Sequence, residues 1–149
     1  MTPAIQLAAP LVRKSEGLQL SAYLCPAGKW TIGYGHTGPD VKRGMTIIAG
    51  RAEELLSADL AVAAAAVRRL VRVPLTAHQE ATLIDFVFNL GEGNLAGSTL
   101  LRRLNDGLYD HVPAQLRRWT KGVVNGVMKE LSGLVIRREA ECVLWDTAA

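Results

Sequence analysis

Long apolar runs are missing from these 149 residues. The longest, Leu60 to Val67, is eight residues and mostly alanine. A membrane-spanning helix needs roughly 20, so no stable membrane insertion is expected. Cysteine is scarce, with only Cys25 and Cys142, too few for a disulfide-stapled scaffold. The mildly apolar stretch Ala4 to Val12 has no basic region ahead of it and no convincing cleavage site behind it. No signal peptide is therefore expected, and both thiols are expected to be free. Aromatic residues make up 5%, and Tyr23, Trp30 and Tyr34 cluster in one neutral to acidic stretch. A nucleic-acid binder would interleave its aromatics with Lys and Arg, so no nucleic-acid partner is expected. His36, His78 and His111 stand apart from one another and from the cysteines, which supports neither a metal site nor a cofactor. No internal repeat is visible.

What is present suits an ordinary globular domain. Apolar residues are 49% and charged residues 21%, enough for one core without a staple, so residues 1–149 are expected to form a single domain. Lys and Arg number 17 against 14 Asp and Glu, a net charge of +3, which favours an anionic partner such as a nucleic acid, a membrane surface or a wall polymer. Four Arg-Arg pairs, at 68–69, 102–103, 117–118 and 137–138, lie within helical patterns. Solvated helix faces are the expected reading for most of them.

Along the chain, apolar spacing predicts a helix from Ala4 to Ser15, with Pro3 or Pro10 as its start and Glu16-Gly17 as its end. Alternation at Leu20, Ala22 and Leu24, a turn at Cys25 to Lys29 and a strand from Trp30 to Gly35 predict a hairpin. A third strand is expected within Val41 to Ile48. After Gly50 the period becomes 3.6, predicting a long helix that stops near Pro74. Thr76-Ala77-His78-Gln79 has the form of a capping box opening a helix to about Leu90, followed by a Gly-rich break at Gly91 to Asn94. Further helices are expected near Ser98 to Asn105, Tyr109 to Thr120 and Leu134 to Trp145. The fold class is α+β: a small sheet lobe, about 17–48, and a larger helical lobe of about 50–149 joined by the N-terminal helix. The cleft between lobes is the natural site.

Glu16 ends an apolar helix and precedes the hairpin, so the lobe junction should partly desolvate it. Desolvation favours the neutral carboxyl, and a protonated glutamic acid can donate to a leaving oxygen. Taken alone, Glu16 reads as a surface carboxylate at a helix end rather than as a functional group. Eight residues separate Glu16 from Cys25 and five separate Cys25 from Thr31. The context adds Glu16-Gly17-Leu18, Ala22-Tyr23 and Gly28-x-Trp30-Thr31-Ile32-Gly33-Tyr34-Gly35-His36-Thr37.

With that string the chain resembles the bacteriophage-type lysozymes, endolysin muramidases whose motif is Glu, eight residues, Asp or Cys, five residues, Thr. The likeness continues through Leu55-Leu56-x-x-Asp59-Leu60, Phe88-Asn89-x-Gly91-x-Gly93, Ser98-Thr99-Leu100-Leu101 and Gly133-Leu134-x-x-Arg137-Arg138-x-x-Glu141. The resemblance implies a lysozyme-like fold and a peptidoglycan glycan strand as substrate. The bond cut would be the β-1,4 link from N-acetylmuramic acid to N-acetylglucosamine, with Glu16 as general acid. Many relatives carry aspartate at the position of Cys25, and a neutral thiol offers little charge to an oxocarbenium-like transition state. An inverting route tolerates this best: a water attacks the opposite sugar face, held by Thr31 and Cys25. The resemblance also pairs His36 with Asp59 as a structural link between lobes, and places Asn89 and, more weakly, Thr37 in the saccharide groove. For Asn89 a helix C-cap is the equal alternative. Arg137 and Arg138 lie where the last helix can reach back toward Glu16, with a solvated face as the competing reading.

A monomer made in the host cytoplasm is expected, reaching the wall when a holin opens the membrane. Two other readings remain: a lytic transglycosylase acting on the same bond, and a non-catalytic glycan- or nucleic-acid-binding module.

Overall fold

Thr2 opens the first helix by accepting a hydrogen bond from the Ile5 N–H at 3.3 Å, and Pro3 takes the first helical position, where a missing N–H costs nothing. Helix α1 therefore runs Pro3–Glu16 in the computed structural model, which describes residues 1–147. Pro10 lies inside this helix rather than starting it. Ala4, Ile5, Ala8, Ala9 and Val12 form the buried stripe. Gly17, at φ +69°, ends α1 by donating to the Arg13 carbonyl. Glu16 is thus the last helical residue.

Strands β1 (Gln19–Leu24), β2 (Trp30–Gly33) and β3 (His36–Thr37) form an antiparallel sheet in that order. Tyr23 pairs with Thr31, Thr31 with Thr37, and Ile32 with His36. In the turn between β1 and β2, Cys25 N–H donates to the Lys29 carbonyl at 2.9 Å and Gly28 N–H to the Cys25 carbonyl at 2.8 Å. The third strand is not at Val41 to Ile48. Gly35, at φ +72°, turns the chain straight back onto β2, so the predicted strand Trp30 to Gly35 is cut short and its continuation becomes β3. The later segment lies instead against β1. Its isolated bridge joins Ser21 and Thr46, with Ala22 N–H donating to Met45 and Ile47 N–H to Leu20, both at 2.9 Å.

Helix α2 (Ala49–Leu70) connects two apolar clusters. Leu55 joins Ile32 and Val41 beneath the sheet. Leu56, Leu60, Ala63 and Val67 face the larger core, with Ala8, Ile84, Phe86 and Leu100. Helix α3 (Ala77–Leu90) opens with the expected capping box, Gln79 N–H to Thr76 Oγ1 at 3.1 Å and Thr76 N–H to Gln79 Oε1 at 3.0 Å. Ala81 to Val87 are all buried, so α3 is the central helix.

Three expectations fail beyond it. The Gly-rich break contains a short helix, α4 (Glu92–Ala96). After α5 (Thr99–Asn105), the single helix expected from Tyr109 to Thr120 is a 3₁₀ turn, Tyr109–His111, followed by α6 (Val112–Leu116). The chain leaves it through turn hydrogen bonds, Arg118 N–H to the Gln115 carbonyl at 3.2 Å and Trp119 N–H to the Leu116 carbonyl at 3.0 Å, and Trp119 packs edge-on against Phe86 with ring centroids 5.5 Å apart. A hairpin follows that the sequence reading lacks, β4 (Lys121–Val124) and β5 (Val127–Glu130). Helix α7 (Ser132–Asp146) closes the chain beside α3 and α1.

Candidate active site

The end of α1 delivers Glu16 to the place where the sheet, α3 and α7 meet. Its side chain is 25% exposed, and its Oε1 accepts from Arg137 Nη1 at 3.1 Å. Gly35 packs against the same carboxyl: a Cβ at that position would lie 2.9 Å from Glu16 Cδ. Position 35 therefore needs glycine twice, for its left-handed backbone and for this close approach. The helix end suggests an apolar surround for Glu16. The folded chain supplies a cation as well.

Arg137 and Arg138 do not form a solvated face. Both are buried. Arg137 makes a fork with Asp85 on α3, Nε to Oδ2 at 3.1 Å and Nη2 to Oδ1 at 2.9 Å, and Asp85 is fully buried. Burial works against the Arg137 charge, and Asp85 and then Glu16 more than restore it, so its pKa sits above the ordinary arginine value. Arg138 donates through Nη2 to Glu141 Oε2 at 2.9 Å and to Asn89 Oδ1 at 2.7 Å. It also lies over the Phe86 ring at 5.4 Å. Burial, and then Asp85, push the Glu141 carboxyl well above the usual carboxylate range.

Cys25 sits in the hairpin turn and Thr31 on β2. The Thr31 side chain is buried, and its Oγ1 donates to the Lys29 carbonyl at 3.0 Å. The hydroxyl's lone pairs remain available to accept. The Lys29 backbone N–H holds the Cys25 thiol below its usual pKa; burial opposes it, and the Ala27 backbone, the Thr31 hydroxyl and the Lys29 ammonium add to the lowering. Tyr23, opposite Thr31 in the register, has its phenol pushed up by burial first and then by Glu16 and Cys25. Both groups thus act on one phenol.

A cleft of about 310 Å³ opens beside Gly35. Its walls include Thr37, Asp59, Ala63, Phe88 and Glu92. Thr37 also lines a second hollow, with Trp30 and Val41, so it stands where the two adjoin. Asn89 is not the C-cap of α3, a position taken by Gly91. Its carbonyl oxygen is occupied by Arg138, which leaves the amide N–H groups to offer. His36 bridges elements: Nδ1 lies 2.7 Å from Asp59 on α2 and Nε2 lies 3.0 Å from Asp40. Among the described residues, no cluster of His, Cys, Asp and Glu is arranged to hold a metal.

The phage lysozyme family matches residues 13–141. The chain belongs to that family. It is accordingly a lysozyme-type glycoside hydrolase. Among its relatives, an endolysin of Acyrthosiphon pisum secondary endosymbiont phage 1 is 41% identical over 93% of this chain and 94% of its own length. A SAR-endolysin of Enterobacteria phage PA-2 is 38% identical over 85% of this chain and 74% of its own. The muramidase domain of SpmX from Asticaccaulis excentricus superimposes with a TM-score of 0.88 at 36% identity, covering 95% of each chain. The lysozyme-like α+β fold expected of the phage lysozyme family is the fold found.

Asp40, Asp85 and the grip of Arg138 on Asn89 escaped the sequence reading. Asp85 carried a usable signal: it is an acid inside the otherwise apolar segment Leu83 to Phe88, and a charge on a core face is the informative exception.

Proposed function

We propose that this phage lysozyme is an endolysin that hydrolyses the β-1,4 bond between N-acetylmuramic acid and N-acetylglucosamine in peptidoglycan, with Glu16 as the general acid. The observation that supports the reading is the close approach of the Glu16 carboxyl to Gly35, a residue that lines the cleft. Glu16 protonates the leaving oxygen. On the opposite face of the sugar a water attacks, donating a hydrogen bond to Thr31 Oγ1, while Cys25, a thiol with a depressed pKa, accepts its proton or orients it. Product of inverted configuration follows. Asn89 and Thr37 contribute amide and hydroxyl contacts to the acetamido and ring substituents, and His36 with Asp59 holds the sheet against α2. No resident cofactor is invoked. The protein acts as a monomer, made in the host cytoplasm and admitted to the wall by a holin. No helix among the described residues is long and apolar enough to cross a membrane.

One observation keeps a second reading: the site has a thiol where a second carboxylate would stand, and a lytic transglycosylase needs only one acid. Purified peptidoglycan digested with wild-type protein and with Glu16→Gln, followed by mass spectrometry, decides. Free reducing ends from the wild type and none from the variant are expected. Anhydro products would transfer the chain to the transglycosylase reading, and an active Glu16→Gln variant would remove Glu16 as the acid.

A further inference from the structure

Arg137 has three guanidinium nitrogens, and each has a partner. Nε and Nη2 meet the two oxygens of Asp85 at 3.1 and 2.9 Å, and Nη1 meets Glu16 at 3.1 Å. The fork with Asp85 lies in the interior, where Asp85 is 0% and Arg137 6% exposed, whereas Glu16 is 25% exposed beside Gly35. A planar guanidinium gripped along one edge cannot turn, so the direction of Nη1 is set by Asp85. We propose that Asp85 is a positioning residue for glycan hydrolysis: through Arg137 it fixes where the Glu16 carboxyl sits and how strongly the cation draws on it.

The inference rests on the reading of Glu16 as the acid. The surrounding charges sharpen it. On α7, Arg138 is committed to Glu141 and Asn89, and Glu141, whose carboxyl burial and then Asp85 push up toward its neutral form, also faces Asp85, so Asp85 is the buried anion that balances Arg137. From β1, Tyr23 faces Glu16 as a neutral phenol whose ionisation is disfavoured. Helix α2 sends its charges elsewhere, Asp59 to His36, Arg68 to Glu80 and Arg69 to Glu92. With Asp85 in place the Arg137 charge is shared between an interior and a catalytic carboxylate. Without it, the whole charge faces Glu16 and favours its ionised form, which cannot donate a proton. A second consequence is geometric, since a mobile Arg137 no longer defines the Glu16 rotamer.

Asp85→Asn keeps the shape of the side chain and removes its charge. On soluble peptidoglycan fragments, kcat should fall by about 10- to 100-fold with KM within about twofold of wild type. The alkaline limb of the kcat–pH profile should move down by about one pH unit. The position of that limb does not depend on how much protein is folded, so lost stability alone leaves it in place. In an Arg137→Gln background the same substitution should change kcat by less than about twofold. That double variant leaves no unpaired buried arginine at this position, so it also serves if the single variant does not fold. An unmoved limb, or an equal loss of kcat in both backgrounds, would overturn the proposal. Glu16→Gln run alongside separates the two levels. If it retains activity, the reading of Glu16 fails; if it is inactive while Asp85→Asn matches wild type, only the role of Asp85 fails.

Discussion

His36 lies between two carboxylates, 12% exposed, with Asp59 28% and Asp40 51% exposed. Burial pushes both His36 and Asp59 toward their neutral forms, and pairing overcomes it for His36 alone, so both pKa values are raised while His36 holds that of Asp40 down. A histidine whose folded pKa is raised stabilises the protein fully below its unfolded pKa of about 6.5, and that contribution fades as pH rises through the higher folded value. His36→Asn should therefore cost about 1–3 kcal/mol near pH 6, between the exposed and buried limits for ion pairs. The gap between variant and wild type should narrow as pH rises past neutrality, as read by urea melts across pH. At Gly35, alanine meets both a left-handed φ and the Glu16 carboxyl, so Gly35→Ala should reduce kcat by more than tenfold, on the order of a misplaced catalytic group. Kinetics of the folded fraction check this. Glu16, Cys25, Thr31 and His36 stand out by spacing and family likeness because they fall within one short stretch, 16–36. Asp85 was not, because its partner Arg137 is 52 residues away.

At the scale of elements, local chemistry announced most boundaries. Thr76 and Gln79 satisfy each other's orphan donors as their spacing predicts, and Thr76→Ala should lower stability by about 1 kcal/mol, measurable as a lower urea midpoint. The β4–β5 hairpin was equally announced. Asn125-Gly126 is the pair that a type I′ turn requires, and its φ values are +51° and +78°. The sequence reading places no strand between Thr120 and Leu134, because Val123, Val124, Val127 and Met128 are too short a run to reveal a strand period. Gly126→Val should destabilise the hairpin while leaving the core of α1, α3 and α7 intact. Hydrogen exchange would show faster exchange confined to Lys121–Glu130. The third strand was misplaced for a different reason. Where the chain folds back depends on Gly35 docking against Glu16, a contact between elements that no local pattern contains.

For the whole molecule, net charge is the simplest lever. A charge of +3 favours encounter with the anionic wall, and raising ionic strength from about 0.1 to about 1 M shortens the Debye length from about 10 to about 3 Å. Clearing of permeabilised Gram-negative cells should slow with salt, while cleavage of a short neutral glycan fragment changes little; parallel turbidity and product assays test this. Helix α2 spans both apolar clusters, with Leu55 in one and Leu56 in the next, so the cleft between sheet and helices is held open by a single rigid element. Periodicity and turn chemistry in the sequence determined the α+β class, the first hairpin and a first helix ending beside Glu16, because those features depend on near neighbours in the chain. Tertiary structure alone decided the charge environment of Glu16. Arg137 and Asp85 reach it from α7 and α3, and an arginine that looks solvated in sequence becomes a buried fork once two distant helices pack together.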